Sequence, residues 1–184
     1  DTIFENVSFH VEAGEQIAIV GPSGVGKTTL ISLLMQFYRP LSGEILFGGI
    51  SSTSLELNSL RHRIGYVSQS PIIQEGTIRE NVCYGFPEAS QEDVKRVVRT
   101  AGLAEFIQGL PDGYMTHVGE LGANLSEGQK QRLSLARALI RDPDILILDE
   151  PTSNIDQVME ASIFKNLSSI LRGKTVFIIA HQLA

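Results

Sequence analysis

A chain of 184 residues, 42% hydrophobic and 20% charged, has the composition of a globular domain with a buried core and room for one modest insertion. Its formal net charge of -6 offers no overall attraction to nucleic acid, yet leaves room for a phosphate site built from a few oriented amides and one or two cations. The single cysteine, Cys83, excludes an internal disulfide and suits a reducing compartment, and no apolar run approaches the roughly 18 residues of a membrane-spanning helix.

In chain order, Ile3, Val7 and Phe9 with Val11 give a loose alternation closed by Ala13-Gly14. Gln16–Val20 is apolar enough to be a strand buried on both faces, the pattern of a helix-covered parallel sheet. Residues 28–37 carry helical spacing, and 44–47, after the punctuation of Pro40 and Gly43, form a further strand. This strand and the opening segment are expected to form an antiparallel flank. Residues 64–68 are strand-like, and from Thr77 to about Leu110 the signals are helical. Ser90 with Asp93 has capping-box spacing, Val94, Val97, Val98 and Ala101 share one face, and Gly102 supplies the stop. A packed helix follows over 127–141, and 145–148 and Thr175–Ala180 are further doubly buried strands. The fold class is α/β, with a mainly parallel sheet, an antiparallel β flank and an inserted α-helical portion. The division expected is a core of residues 1–69 and 126–184 with a helical subdomain of 70–125.

The chemistry starts in the loop Gly21-Pro22-Ser23-Gly24-Val25-Gly26-Lys27-Thr28, followed by Thr29. It fits G-x-x-x-x-G-K-[ST] in the required place, after a buried strand and opening a helix. Glycines let the backbone curl so that successive N–H groups face phosphate oxygens, and the helix start adds partial positive charge. Lys27 can reach the β- and γ-phosphates, and the Thr28 hydroxyl can ligate Mg²⁺. Four apolar residues at 145–148 then deliver Asp149 and Glu150 to the C-terminal edge of a strand, where ligands bind in such sheets. Asp149 suits a Mg²⁺-associated role and Glu150 the polarisation of an attacking water. Ser126 and Gln129 of Leu125-Ser126-Glu127-Gly128-Gln129 satisfy a capping box, and an exposed helix start is also an anion site, so both readings stand. Taken singly, Gln69 reads as a surface glutamine, His181 as a structural histidine, and Asp156 as the cap of a following helix.

In order and spacing these segments resemble the ATP-binding domain of ABC transporters across nearly the whole chain. Residues 21–28 resemble Walker A, Gln69 the Q-loop glutamine, and 125–129 the LSGGQ signature with Glu127 replacing a glycine. Residues 145–149 resemble Walker B, with Glu150 as the catalytic glutamate. Residues 153–156 resemble the D-loop, with Asn154 and Ile155 as variants, and His181 the switch histidine. Thr116-His117-Val118-Gly119-Glu120-Leu121-Gly122 is similar to the T-x-V-G-E-x-G segment of ABC exporters, and 77–82 is likewise exporter-like.

The resemblance implies a P-loop NTPase core with ATP and Mg²⁺ as ligands. Residues Gly21 to Thr29, Gln69, Ser126 to Gln129 and Asp156 would contact nucleotide. Thr28, Gln69 and Asp149 would surround the metal, and Lys27, Gln69, Glu150 and His181 would serve hydrolysis. It also implies a head-to-tail dimer with a second copy, the signature of one completing the site of the other. The transmembrane domain of an exporter, fused or associated, is the further partner, at the cytoplasmic face of the cell membrane. In that family the helical subdomain receives the coupling helices of the membrane domain. The family's adenine-stacking aromatic would lie upstream of Asp1, and the chain reads as a fragment truncated at both ends. Two alternatives are an ATPase of this family acting away from transport, and an importer ATPase subunit. The segment 116–122 weighs against both.

Overall fold

The computed structural model of the chain describes residues 2–150 and 171–180. Its strands are β1 (Gln16–Val20), β2 (Leu46–Phe47), β3 (Ile50–Ser51), β4 (Ile64–Val67), β5 (Ile145–Asp149) and β6 (Thr175–Ala180). Its helices are α1 (Lys27–Leu34), α2 (Leu57–His62), α3 (Ile78–Val82), α4 (Gln91–Thr100), α5 (Ala104–Gln108) and α6 (Glu127–Leu139). The strands β1 and β6 have the bounds read from their apolar runs, and β5 runs one residue further, to Asp149.

Four strands make one parallel sheet in the spatial order β1, β6, β5, β4. Side chains alternate between the two faces of a strand, so β4, β5 and β6 feed two cores. Strand β1, expected to be buried on both faces, turns only Ile17 and Ile19 inward and leaves Gln16, Ala18 and Val20 exposed at the edge of the sheet. Leu146, Leu148 and Val176 enter the cluster beneath α3, α4 and α6, while Ile147, Phe177 and Ile179 meet Ile31 of α1 and Leu60 of α2. Leu146, Ile147 and Leu148 are each fully buried, which stabilises by about 1.5–3 kcal/mol per side chain. Cys83 lies in the first cluster, where burial pushes its thiol up from the usual range.

The helix boundaries follow local chemistry. The Ser90 hydroxyl accepts from the Asp93 N–H, and α4 ends where Gly102 (φ 68) turns left-handed. There Gly102 N–H bonds Arg99 O and Leu103 N–H bonds Val98 O, the paired bonds of a Schellman stop. The backbone of α6 presses on β4, because a Cβ at Gly65 would lie 2.7 Å from Ala138 O. Only a glycine strand residue permits that approach.

The antiparallel flank exists with a different partner from the one expected. Strand β2 pairs with β3, through a two-residue turn at Gly48 and Gly49 whose φ values are 57° and 79°. Consecutive positive φ values suit the right-handed strand twist, so this local hairpin closes without a distant strand. The opening residues 3–11 form no strand. Instead Ile3 and Phe4 lie against Gly26, and Val11 packs on the core beneath α1.

Candidate active site

The parallel register brings the strand ends together on one edge. Val20 lies beside Ala180, Asp149 beside Ile179, and Val67 beside Leu148. The segments leaving these strands therefore share that edge: the loop 21–28 after β1, Gln69 after β4, and Glu150 after β5.

The loop is built as a concave turn. Gly24 (φ 81) and Gly26 (φ 105) both take left-handed backbone, and Gly26 directly precedes α1. Helix α1 has no side-chain cap, so its first-turn N–H groups have no competing side-chain acceptor. Together with the helix dipole they suit an anion. The Lys27 ammonium folds back over this turn and donates to Gly21 O at 2.6 Å and Pro22 O at 2.9 Å. A cation held on the loop's own carbonyls can transfer to a phosphate oxygen without crossing the site. Ser23, Gly24 and Thr28 are exposed and Thr29 is half-buried.

The carboxylates differ in surroundings. Tyr66 OH donates to Asp149 Oδ2 at 3.3 Å, and burial together with the Asp149 charge pushes the Tyr66 phenol up to about 12. Tyr66 therefore stays a donor and orients Asp149. Glu150 has φ 48, a conformation that side chains other than glycine seldom take. Its N–H donates to Ile179 O at 3.0 Å, and its carbonyl accepts from Gln131 Nε2 at 3.3 Å. Its Oε2 accepts from Gln69 Nε2 at 2.6 Å. The donor set fits Mg-ATP. Glycines form the phosphate turn, and Thr28 with Asp149 gives one hydroxyl and one carboxylate. Among the described residues no group of three His, Cys, Asp or Glu forms a metal cage. A magnesium ion is usually held by one or two carboxylates plus phosphate and water rather than by an all-protein cage.

Ser126 and Gln129 make the expected capping box in both directions, with Gln129 N–H on Ser126 Oγ at 3.3 Å and Ser126 N–H on Gln129 Oε1 at 2.8 Å. Glu127 pairs with Lys130 at 2.9 Å. Among the described residues no hydrogen bond or ion pair joins Ser126, Glu127, Gly128 or Gln129 to the loop 21–28. Asp156, the rest of 153–156 and His181 lie outside the described residues.

The two exporter-like segments meet. Thr77 bridges His117, Ile78 N–H bonds Thr116 O, and Val118 N–H bonds Gly76 O. Arg137 of α6 donates to Ile72 O at 2.7 Å and to Asn81 O and Oδ1 at 2.8 and 2.7 Å, and stacks on Tyr84 with its guanidinium 5.3 Å from the ring centroid. Burial pulls the Arg137 pKa below its ordinary value. Tyr84 and Arg137 line an open cleft of about 250 Å³ together with Tyr66, Gly85 and Arg141. Tyr66, Gln131 and Arg137 are missed by motif reasoning. For Gln131 a signal exists in the sequence, an amide four residues before Leu135 on the face that Leu135 shares.

The sequence matches the family described as ABC transporter over residues 4–153. It is 48% identical over 183 residues to the ABC multidrug transporter mdr2 of Aspergillus fumigatus, covering 99% of this chain and 23% of that protein. It is 47% identical over 182 residues to the uncharacterized ABC transporter ATP-binding protein YwjA of Bacillus subtilis, covering 99% of this chain and 32% of that protein. The fold superposes on a bacterial Atm1-family ABC exporter with ATP bound, with TM-score 0.94 and 41% identity over 98% of this chain and 32% of that one. The chain thus spans a third or less of the length of these relatives. The loop, the paired strand ends and these likenesses agree: the chain belongs to the ABC transporter family, as an ATP-binding domain of the exporter type.

Proposed function

We propose that this chain binds Mg-ATP and hydrolyses it to drive export through an associated or fused transmembrane domain. The observation that carries the reading is the convergence of Gln69 and Glu150, at 2.6 Å, on the sheet edge that also bears the loop 21–28. Lys27 and the N–H groups of residues 21–29 hold the phosphates. Thr28, Gln69 and Asp149 would hold Mg²⁺, which offsets phosphate charge. Glu150 orients a water toward the γ-phosphorus and receives its proton as the bond to the leaving ADP oxygen breaks. The resemblance gives His181 a γ-phosphate contact and Asp156 a place beside the partner's nucleotide.

A second copy, docked head to tail, completes each site with Ser126, Glu127, Gly128 and Gln129. Among the described residues these side chains bond only within their own helix start, which supports this reading. Closure then depends on ATP, because one helix end supplies only part of the phosphate cage. The helical portion 70–125 serves as the subdomain facing the membrane part, with the Tyr84 cleft as its landing surface at the cytoplasmic side. No helix among the described residues is long and apolar enough to cross a membrane.

The test is Glu150→Gln in the intact polypeptide. ATP binding is retained while hydrolysis slows by roughly 10²–10⁴-fold, the range for a positioned general base. Unchanged turnover would remove Glu150 from the reaction.

A further inference from the structure

Helix α6 carries an amide where its packing calls for a hydrocarbon. Gln131, Leu135 and Ala138 share its inward face and are 1%, 6% and 9% exposed. A buried amide left partly unpaired costs stability, whereas leucine or methionine would fill the same volume without that cost. Gln131 is such a group: among the described residues its Oε1 has no hydrogen-bond partner, while its Nε2 donates to Glu150 O. The nitrogen is the end of this amide that makes a bond.

That nitrogen holds one of the two peptide planes flanking Glu150. The plane before Glu150 is anchored to β6 through Glu150 N–H and Ile179 O, and the plane after it is anchored to α6 through Gln131. The dihedrals of Glu150 lie between those planes, so fixing both sets the direction in which its side chain leaves the backbone. Its φ of 48° is a conformation that a free glutamate would leave. We propose that Gln131 is a positioning residue for hydrolysis, holding Glu150 in left-handed backbone so that its carboxylate meets the water in line. This rests on the role given to Glu150 under the proposed function.

The same helix begins at the Ser126–Gln129 capping box. The segment offered to the partner's ATP and the bond steadying this chain's own Glu150 therefore sit on one rigid element, within about two turns of each other. A shift of α6 when the partner's nucleotide arrives is felt at Glu150 O.

The experiment is steady-state ATPase kinetics on the intact polypeptide carrying Gln131→Met, which keeps the volume and removes the donor. The expected result is kcat lowered roughly 10- to 100-fold, the scale on which misplacing a reacting group is felt. KM for ATP stays within about twofold and the thermal midpoint is not lowered, as befits removing a half-unpaired buried amide. Gln131→Asn, whose shorter amide cannot reach the carbonyl, loses kcat in the same way and carries the test if the Met variant does not accumulate. Wild-type kcat in either variant, or a loss expressed wholly as raised KM, overturns the proposal. Glu150→Gln assayed alongside separates the two levels. If it retains turnover, the role of Glu150 falls and the proposal with it. If it is inactive while Gln131→Met is wild type, only the positioning role falls.

Discussion

The amide of Gln69 donates to the carboxylate of Glu150 at 2.6 Å across 81 positions of sequence. The meeting is a consequence of register. Val67 pairs with Leu148 in neighbouring parallel strands, and each functional residue stands two places beyond its strand partner. In the proposed reaction Gln69 turns to the metal and Glu150 to the water, so this bond must open before hydrolysis. Gln69→Ala removes both the bond and the metal-facing oxygen. The bond has to break in any case, so its loss does not slow the reaction. Losing the metal-facing oxygen misplaces the charge that offsets the phosphate, and turnover should fall roughly 10- to 100-fold. ATP affinity measured with the metal chelated should not change. A variant with wild-type turnover would take Gln69 out of the reaction.

Gly65 tests the junction between α6 and the sheet. An added Cβ would meet Ala138 O at 2.7 Å and Leu146 Cδ1 and Pro143 Cγ at 2.9 Å. The first of these is helix backbone, which cannot rotate away, so Gly65→Ala should cost about 1–3 kcal/mol as overpacking does. Chemical denaturation reads this as a lowered midpoint. An unchanged midpoint would mean that α6 does not sit so close to β4.

The legibility of the chain divides along physical lines. Strand β6 can be read directly, because a strand buried on both faces needs an unbroken apolar run, whereas β1 carries such a run with only Ile17 and Ile19 turned inward. The capping box at Ser126 and Gln129 is legible for a similar reason, its partners being three residues apart. The partner of the strand at 44–47 is misread because the turn that decides it, Gly48-Gly49, is local and takes precedence over the looser alternation at 3–11. Gln131 escapes because its partner, Glu150, is 19 positions away and is reached through a backbone carbonyl, which carries no side-chain signature. Tyr66 and Asp149 likewise meet only through the pairing of β4 and β5.

The first turn of α3 makes stability depend on acid. Glu80 Oε2 accepts from Thr77 N–H at 2.7 Å and from Thr77 Oγ1 at 2.9 Å, and these bonds hold its carboxyl below the ordinary value of 4.5. A carboxyl depressed in the folded state contributes stability that is present above its unfolded pKa and is lost as pH falls through the folded pKa. Unfolding midpoints should therefore drop as pH is lowered below about 4.5, and Glu80→Gln should flatten that dependence. The variant should also loosen the bridge from Thr77 to His117, since Thr77 is both cap and bridge residue. An identical pH profile in the variant would contradict the assignment.

Glu127 departs from the family pattern, which has glycine at that position. It stands in the first turn of α6, where its negative charge favours the helix dipole and pairs with Lys130 at 2.9 Å, its side chain 61% exposed. The same charge would oppose a phosphate brought to this helix start by a second copy. Two effects thus act in opposite directions: the dipole term stabilises the free chain, and repulsion raises the cost of closing the dimer on ATP. Each is worth about 0.3–1 kcal/mol at an exposed helix end. Glu127→Gly leaves the Ser126–Gln129 capping box intact and frees the Lys130 ammonium. The apparent KM for ATP of the intact polypeptide should therefore fall about two- to fivefold, with a slightly lower thermal midpoint. The gain should shrink at high salt, since exposed charges are screened over about 3 Å at 1 M ionic strength. A KM that is unchanged or raised at low salt would mean that the start of α6 does not face phosphate.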